Sequence, residues 1–364
     1  MLVKEVTDIL EELAPLAYAE DFDNVGLLVG DTNIEVSGIL VTLDTLENVV
    51  DEAIENNCNL IVSFHPIIFS GLKKITGKTY VERVVIKAIK NNITIYSMHT
   101  ALDNSKDGVN AKICEVLGIE NPEILIPQKR TIKKLTTYVP EADAEILKNA
   151  LFEAGAGNIG NYSHCSFVNE GTGSFQAETD ANPVKGNIGE IHFEKETQIH
   201  VTYQKSQEGK VLNALFKNHP YDEVAFEVYS LENTNQHIGM GMIGTLKNPM
   251  EEMPFLNHVK KTMHASGIRH SNLIGKSVQK IAVLGGSGAF AISAAKAAGA
   301  DVFITADIKY HQFYEAEDQI VIADIGHYET EQFTKNLLVD YLTKKIPNFA
   351  VRLAESKTNP IKYL

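Results

Sequence analysis

Cysteine is scarce in this chain. The three present, Cys58, Cys114 and Cys165, lie far apart and form no CxxC pair. That spacing offers no thiolate zinc site and fits a reducing compartment. Positive charge is also in short supply: 33 Lys and Arg face 47 Asp and Glu, for a formal net charge of −14. An acidic surface repels phosphate backbones, so outside any local basic patch nucleic acid is an unfavoured partner. No apolar run reaches membrane-spanning length. The segment from Met1 leads into an amphipathic helix with acidic residues, not a signal-peptide pattern. The expectation is a cytoplasmic protein without membrane contact. There is no GxSxG nucleophile elbow, which removes that form of Ser–His–Asp catalysis. Gly285-Gly286-Ser287-Gly288 follows a strand-like run but lacks the Lys-Ser/Thr of a P-loop and a complete GxGxxG. It reads as a tight strand-to-helix turn, with amides that could still touch an anionic substrate.

What the chain has is alternation. Its 364 residues are long for one core and imply two domains or an inserted one. Val3, Val6, Ile9, Leu10 and Leu13 make one helical face, closed by Pro15. Strand-like runs 39–43, 60–64 and 93–97 alternate with helical runs 46–54, 80–91 and 108–117. Further strand-like runs lie at 280–284, 302–305 and 320–323. Such alternation predicts right-handed βαβ units and a mostly parallel sheet. Between them the pattern changes to β-α-β-β-α-β, which predicts a ferredoxin-like α+β module. The expected organisation is an α/β domain split into residues 1–130 and 245–364, with the module inserted at 131–244. The polar stretch Asn233-Thr234-Asn235-Gln236 resembles an exit from the module.

In parallel sheets, ligands bind beyond the carboxyl ends of the strands. Asp44, His65, His99, Asp103 and His327 all fall at or just after strand ends. His327 and Glu331 are four apart at a helix start, so they share one face and can grip one metal ion. His99 and Asp103 are also four apart, in a segment that reads as a loop. Taken one at a time, each histidine is more readily a satisfied, partly buried side chain than a ligand. Taken together they supply mixed nitrogen and oxygen donors suited to Zn, Mn or Fe. Thr305-Ala306-Asp307-Ile308-Lys309-Tyr310-His311 adds polar groups at another strand end, either a surface loop or a support for ligands and substrate.

Five motifs in this order resemble one family. They are Asp23-Asn24-Val25-Gly26-Leu27, His65-Pro66-Ile67-Ile68-Phe69, His99-Thr100-Ala101-Leu102-Asp103, the segment from Thr305 to His311, and Gly326-His327-Tyr328-Glu329-Thr330-Glu331. With the closing Thr358–Leu364, they are similar end to end to the NIF3-like family, also called GTP cyclohydrolase 1 type 2 homologues. The insert resembles the extra module of the long bacterial members, which is similar to PII and CutA domains. The resemblance implies two divalent metal ions, Zn, Fe or Mn, held by His65, Asp103, His327 and Glu331, with His99 nearby. It also implies a homohexameric ring. The implied activity is metal-dependent hydrolysis of a nucleotide or related small molecule, with His311 or Lys309 moving protons or binding anionic groups. The alternative is a metal-binding regulatory or interaction protein whose insert binds a partner or effector. Many members have His-His-Pro where this chain has Phe64-His65-Pro66. One ligand is thereby missing, so two unequal metal positions are expected.

Overall fold

The structure, a computed structural model, describes residues Met1–Leu364 and divides into two compact units. Unit 1 comprises Met1–Pro127 and Gln236–Leu364; unit 2 comprises Gln128–Asn235. The chain begins with α1 (Val3–Leu13), β1 (Gly26–Val29), β2 (Ile39–Thr42), α2 (Glu47–Glu55), β3 (Leu60–Ser63) and α3 (Tyr80–Lys90). β4 (Thr94–Ser97), α4 (His99–Asp103), α5 (Val109–Leu117) and β5 (Ile119–Pro127) follow. Unit 2 holds β6 (Ile132–Pro140), α6 (Ala144–Glu153), β7 (Ser166–Gln176), β8 (Ile191–Gln204), α7 (Glu208–Asn218) and β9 (Phe226–Leu231). Unit 1 resumes with β10 (Gly239–Glu251), α8 (Glu252–Thr262), β11 (Arg269–His270), β12 (Ser277–Ser287), α9 (Ile292–Ala297) and β13 (Val302–Ala306). It closes with β14 (Val321–Asp324), α10 (His327–Glu331), α11 (Thr334–Lys345) and β15 (Val351–Leu353).

Unit 1 is built in layers. One sheet has the order β1-β4-β3-β2-β15, the other β11-β14-β13-β12-β10-β5. Strands β2, β3, β13 and β14 are buried throughout. That explains their near-continuous apolar sequence, since both faces are covered. Alternate residues go to different cores. Ile39, Val41, Leu60 and Val62 join Val302 and Ile304 in a common core with Val6 and Leu10 of α1, Ile113 of α5 and Leu338 of α11. Leu40 and Ile61 face α2 and α3 instead, and Phe303 and Ile322 face α9. Helices therefore fill the space between the two sheets and cover both outer faces.

Unit 2 is one antiparallel sheet of order β7-β8-β6-β9, met by α6 and α7 on one side. Its core is Leu135, Val139, Ile199 and Val201 against Leu147, Leu151, Val211 and Leu215. Residues of one strand parity supply it, as a half-buried sheet requires.

Three expectations need correcting, and one strand lies outside them. The first sheet is mostly parallel, with only β1–β4 antiparallel. The second is mixed, because β10 pairs antiparallel with both β12 and β5, and β11 with β14. β5 escapes a sequence reading because Pro122 and Pro127 interrupt its pattern, and edge strands tolerate proline. The module ends at Asn235 rather than at 244, since residues 239–244 are already the start of β10. Finally, His327–Glu331 is a separate short helix, and the apolar helix restarts at Thr334.

Gly239 pairs with Pro127, so the chain leaves and re-enters unit 1 at neighbouring positions of one antiparallel pair. Replacing residues 128–235 by a short glycine-rich turn should then leave unit 1 folded. Circular dichroism and a cooperative melt check this; a molten unit 1 would show that the pairing needs the insert.

Candidate metal centre

Each side chain of the centre is delivered by the end of a parallel strand. Past β3, the His65 N–H donates to the Leu43 carbonyl at 2.9 Å. The Phe64 carbonyl accepts from the His99 N–H at 2.9 Å and from the Ser97 hydroxyl at 2.7 Å. This extends the ladder far enough to fix Phe64, His65 and His99 together. In the other sheet, the Ile325 N–H donates to the Thr305 carbonyl at 3.0 Å, and α10 starts two residues later with His327. The turn at Gly326 has φ 101°, where a Cβ would lie 2.2 Å from Glu329 Oε2. Only glycine fits there.

One ligand atom each from His65, His327 and Glu331 lies within 4.8 Å of the other two. Glu331 is buried, and its Oε2 is 3.1 Å from His65 Nε2 and 3.2 Å from His327 Nε2. No hydrogen bond satisfies that buried oxygen. Asp103, from the helical turn α4 rather than a loop, offers a second buried and unpartnered oxygen, Oδ1. It feels the charges of Glu331, His65 and His327, although it stands outside the tight trio.

The far nitrogens of the rings are all engaged. His65 Nδ1 meets Asp44 Oδ1 at 2.8 Å, His99 Nδ1 meets Asp23 Oδ1 at 2.8 Å, and His327 Nδ1 meets Asp307 Oδ2 at 2.7 Å. A carboxylate on Nδ1 fixes that nitrogen as the donor and leaves Nε2 as the lone pair. Asp307 is itself bound by the Ser287 hydroxyl, and Asp23 by the N–H and hydroxyl of Thr100. The rings of His65 and His99 are 5.4 Å apart, as are those of His65 and His327. Phe64 is fully buried between two of them, 4.9 Å from His65 and 5.6 Å from His99.

The electrostatics demand positive charge at this point. Burial alone would lower His65, yet Asp44 and Glu331 outweigh it and push its pKa up to about 10. His327 rises to about 9 against the same burial, through Glu331 and Asp307. Burial would raise Glu331, but the two imidazoles bring it down to about 2. Asp103 moves the other way, well above the carboxylate range, through burial and the nearby Glu331 charge. A divalent cation fits this set: two preset imidazole nitrogens, two orphaned carboxylate oxygens and surplus negative charge.

Lys309 and His311, expected to act on substrate, are exposed and make no hydrogen bond to the trio. The glycine turn lies against the centre. At Gly286, φ is 67° and a Cβ would fall 2.4 Å from Glu331 Oε1. The Gly286 N–H donates to Thr330 at 2.9 Å. These glycines let β12 pass directly beside the carboxylate. The carboxylate backing of the histidines is what residue spacing could not reveal, because each pair is 20 or more residues apart in sequence.

Fold and site define an α/β protein with a carboxylate-supported His/Glu centre at the strand ends. The model of the Duf34/NIF3 (NGG1p interacting factor 3) family matches residues 1–360, and the chain belongs to that family. A Bacillus subtilis (strain 168) protein named GTP cyclohydrolase 1 type 2 homolog is 39% identical, over 99% of this chain and 98% of its own. Among solved structures, the Bacillus cereus protein related to NIF3 aligns with TM-score 0.84 and 37% identity, covering 100% of this chain and 99% of that one. Staphylococcus aureus protein SA1388 aligns with TM-score 0.78 and 29% identity, with the same coverage. No helix of the protein is long and apolar enough to cross a membrane.

Changing Asp44 or Asp307 to Asn should weaken metal affinity about 10–100-fold without removing a ligand. Competition with a chromogenic chelator measures this, with Glu331→Ala as the reference for a lost ligand. Unchanged affinity in Asp44→Asn and Asp307→Asn would show that the carboxylates only pack the rings.

Proposed function

We propose that His65, Asp103, His327 and Glu331 hold two divalent ions, Zn, Fe or Mn, and that the protein hydrolyses a nucleotide or related compound. The observation that carries this is the convergence of two carboxylate-backed Nε2 atoms on an unpartnered, buried Glu331 oxygen. The substrate class follows the name of the relatives. When bound, the ions would polarise a substrate oxygen and acidify water. The chain's own groups do the rest. Asp44 and Asp307 hold the rings in one tautomer. Burial and the Glu331 charge raise the Asp103 pKa, and a cation held beside it would oppose that shift. Phe64 excludes water on one side of His65 and His99. Lys309 and His311 stand two and four residues past Asp307, exposed and available for anionic groups or proton transfer.

We place the protein in the cytoplasm as a homohexameric ring, with a ferredoxin-like insert of PII/CutA type. A second reading, a metal-binding regulatory protein whose insert takes a partner or effector, draws on the separate core of unit 2.

A screen of common nucleotides with Zn, Mn and Fe should find turnover. Asp103→Ala should lower it by about 100-fold or more, with the melting temperature of the metal-stripped protein equal or higher because a buried unpaired carboxyl is gone. Metal binding with no turnover of any nucleotide would favour the regulatory reading.

Phe64 makes the two metal positions unequal: one tight, with His65, Asp103 and Glu331, and one weak, with His327, Glu331 and water. Calorimetric titration of stripped protein should show two affinities, and Phe64→His should tighten the weaker. Two equally tight sites untouched by Phe64→His would mean that another residue, such as His99, completes the second position.

A further inference from the structure

Directly after His65-Pro66 the chain forms one wall of an open groove of about 670 Å³. Pro66 and Phe69 line one part, Lys73 and Lys74 another, and Tyr80 and Glu82 at the start of α3 a third. The groove is tied to the metal centre. Its wall begins at the residue next to His65, and the Phe69 ring meets the His99 ring edge-on at 6.2 Å.

The groove brings two lysines close to the metal centre. In a protein with 14 more acidic than basic residues, some lysines pair with carboxylates, such as Lys87 with Asp51, Lys112 with Glu115 and Lys296 with Glu317. Lys73 and Lys74 are exposed and make no ion pair. Glu82, the carboxylate lining the groove, is already engaged. It accepts from the Thr76 N–H and hydroxyl at 2.7 Å each, from the Lys78 N–H at 3.2 Å and from the Thr79 hydroxyl at 3.2 Å. Those donors hold its pKa near 2, so it stays an anion turned to its own loop. Two adjacent ammonium groups are therefore left for an outside anion. Beside them Phe69 and Tyr80 are large apolar faces left 52% and 56% exposed. A ring can stack on such faces while a charged group is held nearby.

We propose that this groove holds the substrate of the metal centre, and that the substrate is a phosphorylated compound carrying a planar ring. Lys73 and Lys74 take the phosphate, Phe69 and Tyr80 flank the ring, and the scissile part lies toward His65. The groove volume is that of a small-molecule site. This rests on the hydrolase reading for its substrate but not for its anion site, and the test separates the two.

The test is equilibrium binding of three probes to the metal-loaded full chain at fixed ionic strength: inorganic tripolyphosphate, GTP and guanosine. The double variant Lys73→Ala/Lys74→Ala should weaken tripolyphosphate and GTP by at least about tenfold and leave guanosine unchanged. Lys73→Arg/Lys74→Arg should retain binding, and Lys112→Ala, elsewhere on the surface, should have no effect. Affinities within about twofold in the double alanine variant, or no saturable binding of either phosphate probe, would overturn the proposal. Phosphate binding that depends on both lysines, with no nucleotide turned over, keeps the anion site and removes the hydrolase reading. Turnover with an unchanged KM in the double variant does the reverse.

Discussion

Unit 1 is organised around a carboxylate that cannot be solvated. Glu331 sits buried between two imidazoles, with the buried Asp103 oxygen close enough to feel its charge. Taking a carboxylate out of water costs several kcal/mol unless something positive compensates it. The surroundings all serve that need. Two histidines point Nε2 inward because Asp44 and Asp307 occupy their other nitrogens. Glycine at 286 lets the backbone come closer to Glu331 than any side chain would permit. Removing one member leaves the others uncompensated, which is why the centre behaves as a unit rather than as a sum of contacts.

This constraint also explains how the chain is laid out. The trio draws His65 from the first sheet and His327 and Glu331 from the second, and helices packed between the sheets hold these ends together. The middle of the chain supplies nothing to it. β5 and β10 are adjacent antiparallel strands, so a module inserted between them leaves the register on both sides intact. Unit 2 closes its own core from its own residues.

Much of this was legible in the sequence, and the rest was hidden for identifiable reasons. Strands buried on both faces, such as Leu60–Ser63 and Val302–Ala306, announce themselves as apolar runs. The strand-end rule placed His65, His99 and His327 on one side of the sheets before any coordinates. Pairing direction was not legible: β10 carries the same kind of pattern whether its neighbours run with it or against it. β5 was masked by two prolines that only an edge strand tolerates. The supporting carboxylates were hidden by distance, since Asp23 and His99 are 76 residues apart. The Gly285–Gly288 turn reads in sequence as a tight turn, but its neighbour Glu331 is evident only in three dimensions.

Strain and charge fall on the same residues. His99 has φ 24° and Asp307 φ 56°, in a region that non-glycine residues seldom occupy. Each such position costs of order 1–3 kcal/mol and persists only where neighbours over-determine it. Asp23 does this for His99 through its ring and through Thr100; Ser287 and His327 do it for Asp307. The strained backbone is thus held by the very bonds that preset the imidazoles. An ion bound there would compensate the buried charge and tighten the network that carries the strain. Its binding energy would become folding energy by mass action. A loaded centre would for that reason help to stabilise unit 1, besides being the place where its chemistry would occur.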